Sequence, residues 1–97
     1  MAEHDDEEVL RLGRIISHPL RLRIVRALAQ SAEEPISPQQ LVSLTGGTLG
    51  TVSYHVRKLE ELGVVELAQE VPRRGAIQHF WRLTGEGRKL LSRAGVA

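Results

Sequence analysis

Apolar positions recur at helical spacing from the start of the chain. Val9, Leu12, Ile15 and Ile16 form one stripe and predict a first helix over about Asp6 to Ser17. Its acidic opening suits the positive end of a helix dipole. His18-Pro19 breaks the stripe. Proline is favoured in a first helical turn, so His18 is expected to be the N-cap of a second helix. That helix runs to about Ala29, with Leu20, Ile24, Ala27 and Leu28 inward and Arg21, Arg23 and Arg26 spread around its more exposed sides. Ser31 to Ser37 contains Pro35 and two acids and reads as a loop. Ser37-Pro38 repeats the cap-then-proline signature and opens a third helix, ending near Thr45. Gly46-Gly47 forms a turn. Thr48 caps a fourth helix, which continues to Leu62 and is stopped by Gly63.

The period then falls to two. Over Val64 to Val71, Val65, Leu67 and Val71 alternate with Glu66, Ala68 and Glu70, which predicts a strand. Pro72 to Gly75 reads as a turn. Ala76 to Leu83 reads as the returning strand, with Ile77, Trp81 and Leu83 on one face, so the pair is a β-hairpin with a basic tip. A last helix from about Gly85 to Arg93 carries Leu90 and Leu91. The fold class is mainly α with a small β-hairpin, in the order α-α-α-α-β-β-α. This is a winged helix-turn-helix with an extra helix at each end. Residues 1–97 are expected to form one such domain, with residues 1–5 frayed as an acidic leader.

Composition narrows the chemistry. The chain has no cysteine, which excludes disulfides, thiolate metal sites and a cysteine nucleophile. No apolar run approaches the roughly 20 residues of a membrane span, and the N-terminus lacks the basic-then-apolar pattern of a secretory signal. A cytoplasmic setting is expected, without membrane contact. The net charge of +1 hides an asymmetry: five of the 12 acids lie in the first eight residues, while all 13 basic residues follow Val9, leaving a body of +6. A basic body suits a polyanionic partner and equally describes a solvated surface.

The fourth helix separates those two readings. At 100° per residue, Val52, Val56, Leu59 and Leu62 share a narrow arc, with Leu49 at its edge. The opposite arc holds Gly50, Ser53, Tyr54, Arg57 and Lys58, flanked by Thr51. Hydroxyls of Thr and Ser bond phosphates or base edges, Gly permits close backbone approach, Tyr touches a phosphate or a thymine methyl, and Arg forks onto guanine or phosphate. Thr48 can cap the helix and still offer its hydroxyl or amide to a phosphate. An ordinary wet helix face favours Glu, Lys and Gln. This one has no acid before Glu60 and Glu61. Helix 48–62 is therefore expected in a DNA major groove, with Arg73 and Arg74 of the 72–76 wing on the backbone or minor groove.

The chain resembles the ArsR-type winged helix-turn-helix repressors. The likeness lies in the runs His18 to Leu28 (HPLRLRIVRAL), Thr48 to Leu59 (TLGTVSYHVRKL), Leu62 to Val65, Arg73 to Gly75 and Phe80 to Thr84, and covers about Val9 to Leu91. The Leu83 to Arg88 ending, LTGEGR, is also similar to MarR-type regulators. The resemblance implies a homodimer with the first and last helices at its interface. It also implies repression at a near-palindromic operator, relieved by a signal left open. Val9, Leu12, Ile16, Leu90 and Leu91 are the expected interface residues, because together they exceed what so small a core must bury. Many relatives sense metals through cysteines, or through Asp/His pairs in the last helix. Here the last helix has no His, and the four histidines at 4, 18, 55 and 79 form no i, i+4 pair. No metal and no cofactor is expected. His55 is expected to pack beside Tyr54 or a neighbouring helix, and His79 under the wing.

Two alternatives remain beside a DNA-binding regulator. A winged helix can serve as a protein-contact module in a larger complex, though such a module needs neither a basic wing tip nor an acid-free helix face. An enzyme finds no nucleophile–base–acid pattern here, and Gly46-Gly47 joins two helices instead of cradling a phosphate after a strand.

Overall fold

The computed structural model describes residues 6–31 and 34–96. The expected frayed leader, residues 1–5, lies outside them, as do residues 32 and 33 of the loop. Seven elements follow in the anticipated order: α1 (Asp6–Ile16), α2 (Pro19–Gln30), α3 (Pro38–Thr45), α4 (Leu49–Glu61), β1 (Val65–Arg73), β2 (Ala76–Leu83) and α5 (Gly85–Arg93).

Local chemistry sets the helix starts. Ser37 and Gln40 form a reciprocal capping box: the Gln40 amide donates to Ser37 Oγ at 3.3 Å and the Ser37 amide donates to Gln40 Oε1 at 2.9 Å. Thr48 and Thr84 each accept a bond from the amide three residues on, at the starts of α4 and α5. His18 holds the N-cap position of α2, but its side chain makes no capping bond; Pro19 alone shapes that start. At the end of α3, Gly46 takes a left-handed φ of 81° and its amide donates to the Val42 carbonyl.

The core draws on every element. Ile15 of α1, Ile24, Val25 and Leu28 of α2, Leu41 of α3 and Val52, Val56 and Leu59 of α4 meet Val64, Val65, Trp81 and Leu83 of the hairpin root. Leu90 and Leu91 of α5 are buried in this same core. That corrects their expected place in a dimer interface: they close the bottom of the protomer. Gly87 explains how α5 approaches so closely, since a Cβ there would lie 2.3 Å from the Val64 carbonyl oxygen. Ion pairs between Arg11 and Glu86 (3.2 Å) and between Arg93 and Glu8 (2.7 Å) tie α1 to α5 across the surface.

The hairpin departs from its expected form in three ways. First, β1 runs on to Arg73, so the turn is only Arg74-Gly75, both at positive φ (44° and 84°). That is the signature of a two-residue primed turn, whose twist matches the strands. Pro72 is consequently a strand residue, opposite Ile77. In a two-residue hairpin that pair exchanges no hydrogen bonds, so the missing N–H faces the open edge. Second, a bulge between Leu67 and Gln69 shifts the register. Val71 therefore pairs with Gln78 and falls on the face opposite Trp81, which breaks the expected alternation with Val65 and Leu67. Third, Ile36 forms an isolated bridge with Trp81, with bonds of 2.9 and 2.8 Å in the two directions. One residue between Pro35 and a helix cap is too short a stretch to show any period.

Candidate nucleic-acid interface

The buried arc of α4 holds Val52, Val56 and Leu59 against the core, which turns the opposite arc outward. Thr48, Gly50, Thr51, Tyr54 and Arg57 are exposed, and Ser53 and Lys58 are half-buried. Leu49, expected at the edge of the packing arc, is 47% exposed. A Cβ on Gly50 would meet nothing within 4 Å, so the helix offers bare backbone between Leu49 and Thr51. The Thr48 and Thr51 hydroxyls lie 2.8 Å apart and form one polar pair at the helix start. Lys58 Nζ sits 5.5 Å from the centre of the Tyr54 ring and 3.5 Å from Glu61 Oε1. Lys58 thus steadies Tyr54 as well as adding charge. The Arg57 side chain makes no hydrogen bond or ion pair among the described residues. It borders a small cleft of about 60 Å³ with Pro38, Ser53, His79 and Trp81, between α4 and the hairpin.

Behind the exposed face lies a junction the sequence reading missed. Arg21, assigned to an exposed side, is buried at 8% exposure. Its Nε donates to His55 Nδ1 at 2.9 Å and a terminal nitrogen donates to the Arg14 carbonyl at 3.1 Å. The signal was present: Arg21 precedes Ile24 by three positions and Leu28 by seven, which puts it on the inward stripe. The bond requires an unprotonated Nδ1 on His55. Burial pushes the His55 pKa below its ordinary 6.5, and the neighbouring Arg21 and His18 charges push the same way. The His18 and His55 rings lie 5.6 Å apart and Tyr54 meets His55 edge-on at 5.3 Å. His55 therefore packs beside Tyr54, as expected, and links α4 to α2 as well.

Arg73, Arg74 and Gly75 are exposed at the hairpin tip. They stand on a different element from the α4 residues, joined to them through the hairpin root in the core. Along the strands, Arg82 pairs with Glu66 at 2.8 Å and His79 Nε2 lies 3.2 Å from Glu70 Oε2. His79 also stacks on Trp81 at 6.4 Å, under the wing. Of the expected interface residues on α1, Val9 (55%) and Ile16 (51%) are exposed while Leu12 leans on the core. Leu10, 64% exposed, joins them unforeseen. A Cβ on Gly13 meets nothing within 4 Å on the same helix. Among the described residues, no group of three or more His, Asp or Glu side chains could hold a metal, and no helix is long and apolar enough to cross a membrane.

Residues 16–68 match the family model described as a helix-turn-helix domain. No curated protein matches the chain. Among solved structures it is similar to the homodimeric winged helix-turn-helix DNA-binding domain of Mb0332 from Mycobacterium bovis, a possible ArsR-family transcriptional regulator. That likeness has 25% identity and a TM-score of 0.68, over 99% of this chain and 88% of that one. It is also similar to the transcriptional repressor BigR from Xylella fastidiosa, with 28% identity, a TM-score of 0.67, and 92% and 85% of the two chains covered. A Halomicrobium mukohataei protein with a GntR-superfamily winged helix-turn-helix domain shares the fold at 23% identity and a TM-score of 0.73, over 98% of this chain and 71% of that one.

Proposed function

Because the chain belongs to the helix-turn-helix domain family, we propose that it acts as a homodimeric, sequence-specific repressor of transcription on double-stranded DNA. The family and fold are those of DNA-binding regulators, and the ArsR-type resemblance agrees with the solved relatives. The observation that carries the reading is the free face of α4. Gly50, Thr51, Tyr54 and Arg57 are exposed together, without an acid, on the second helix of the helix-turn-helix. In the major groove, Arg57 at mid-helix reaches base edges, and Tyr54, braced by Lys58 and His55, reaches a phosphate or a thymine methyl. Thr48 and Thr51 hold a phosphate at the helix start, and Ser53 follows at the flank. Arg73 and Arg74 carry the wing onto the backbone or minor groove.

A second copy brings a second α4 one helical turn away on a near-palindromic site. The homodimeric Mb0332 domain and the exposed Val9, Leu10 and Ile16 of α1 support this assembly. The test is selection of bound sequences from random duplex DNA, repeated with Arg57→Ala. A two-fold symmetric motif that loses information at one position per half-site supports the reading. Failure to enrich any sequence, with Arg57→Ala and the double variant Arg73→Ala/Arg74→Ala both indifferent, favours a protein-contact module.

A further inference from the structure

We propose that Leu49 reads a thymine methyl group in the major groove and so sets a base that the polar face of α4 does not. The inference rests on the DNA-binding reading. It gives the methyl contact to Leu49 and leaves a phosphate to Tyr54. Leu49 is the first residue of α4. Leu62, placed by the wheel on the same apolar side at the other end of the helix, leans on the core, whereas Leu49 is 47% exposed.

Its place on the helix, its surroundings and its chemistry point the same way. Leu49, Ser53 and Arg57 are four residues apart and run along one edge of α4. Ser53 and Arg57 line the cleft toward the hairpin, and Leu49 heads the same edge. Beside it, Gly50 leaves open space where a side chain would stand. The Thr48 and Thr51 hydroxyls, 2.8 Å apart, flank it. The backbone can therefore come close to DNA at this end, with a phosphate held by the threonines. Helical side chains lean toward the N-terminus, so Leu49 extends from the first turn, the part of a reading helix that meets base edges. In the major groove those edges carry hydrogen-bond donors and acceptors and one apolar group, the thymine C5-methyl. Leucine offers no hydrogen bond, so that methyl is its match. Over a cytosine it would cover the free N–H of the C4 amino group and leave it without a partner.

The helix also fixes where the thymine lies. Eight residues separate Leu49 from Arg57, about 12 Å along the axis, and successive base pairs rise about 3.4 Å. The thymine therefore lies within about five base pairs of the one that Arg57 reads, once in each half-site.

The experiment is a methyl scan of the duplex that the whole chain selects. Each thymine is replaced in turn, in both half-sites, by deoxyuridine, which keeps the base pair and removes the methyl. Wild type should lose about fourfold in affinity per half-site at one thymine, the effect of uncovering one buried methyl group. Leu49→Ala should bind the unmodified duplex more weakly by a similar factor and be indifferent to deoxyuridine at that position. Leu49→Met, which keeps an apolar body, should restore the sensitivity, and Tyr54→Ala should retain it. All three variants should keep wild-type circular dichroism, since both positions are exposed. A scan with no sensitive thymine, sensitivity that survives Leu49→Ala, or sensitivity that only Tyr54→Ala removes would overturn the proposal and leave the DNA-binding reading standing. A chain that selects no duplex defeats that reading, and the proposal with it.

Discussion

The outer faces of α1 and α4 use the same backbone device with opposite chemistry. Each helix buries one stripe, and each has a glycine, Gly13 or Gly50, whose absent side chain leaves open space on the other side. Around Gly13 stand Val9, Leu10 and Ile16, all more than half exposed. Around Gly50 stand Thr51, Tyr54 and Arg57. Glycine within a helix costs roughly 0.5–1 kcal/mol relative to alanine. In the proposed function, the two uncovered faces that carry these positions are the ones a partner approaches closely. The side chains around them specify what: an apolar face calls for another apolar face, and hydroxyls with a guanidinium call for a phosphate-lined groove.

The comparison breaks most readily on α1. The double substitution Leu10→Glu/Ile16→Glu places a like charge on each face of a proposed two-fold contact. Burying unpaired charges costs on the order of 3 kcal/mol or more, so sedimentation should find a monomer where the wild type is a dimer. Loss of the second half-site should also weaken operator binding by about 10² or more. Wild-type protein sedimenting as a monomer at tens of micromolar would remove the α1 half of the comparison.

Next in size is the junction that positions α4. Replacing His55 with Leu strands the buried Arg21 Nε, and an unsatisfied buried donor costs about 1–3 kcal/mol. The pH dependence follows from the lowered pKa of His55. The unfolded chain takes up the proton first as pH falls below about 6.5, so the stability held through neutral His55 is full above that value. It declines as pH drops toward the folded pKa. Urea unfolding between pH 5 and pH 8 should show this slope in wild type and lose that part of it in His55→Leu.

The smallest effects sharpen the comparison best. Gly13→Ala and Gly50→Ala should each stabilise the protomer by roughly 0.5–1 kcal/mol. Gly13→Ala should weaken self-association and spare sequence preference. Gly50→Ala should do the reverse. Identical behaviour of the two variants would mean that both glycines face only water.

Sequence pattern carried the element order because helical stripes and caps are local. Ser37-Pro38, Thr48 and Thr84 act within one turn, and their signals survive folding unchanged. What escaped was set by partners distant in the chain. Leu90 and Leu91 looked surplus because the room for them beneath the hairpin root appears only once Gly87 meets Val64. Arg21 looked exposed because its partner, His55, lies on another helix. The bulge at Ala68 moved Val71 to the other face, and Ile36 joined Trp81 through a single bridge; neither leaves a period to read. On α4, the residues that face outward were legible from the wheel, since the opposite stripe is unbroken. Leu49 and the steadying of Tyr54 by Lys58 were not.

The most direct measurement compares salt titrations of wild type, Arg57→Ala and Arg73→Ala/Arg74→Ala on the selected duplex and a scrambled one. Arg57→Ala should lose about 1–3 kcal/mol per half-site on the selected duplex only. The wing variant should weaken binding to both duplexes and shallow the salt slope by about 0.9 for each phosphate it no longer neutralises. Unchanged discrimination between the two duplexes by Arg57→Ala would contradict the assignment of α4 as the element that reads the sequence.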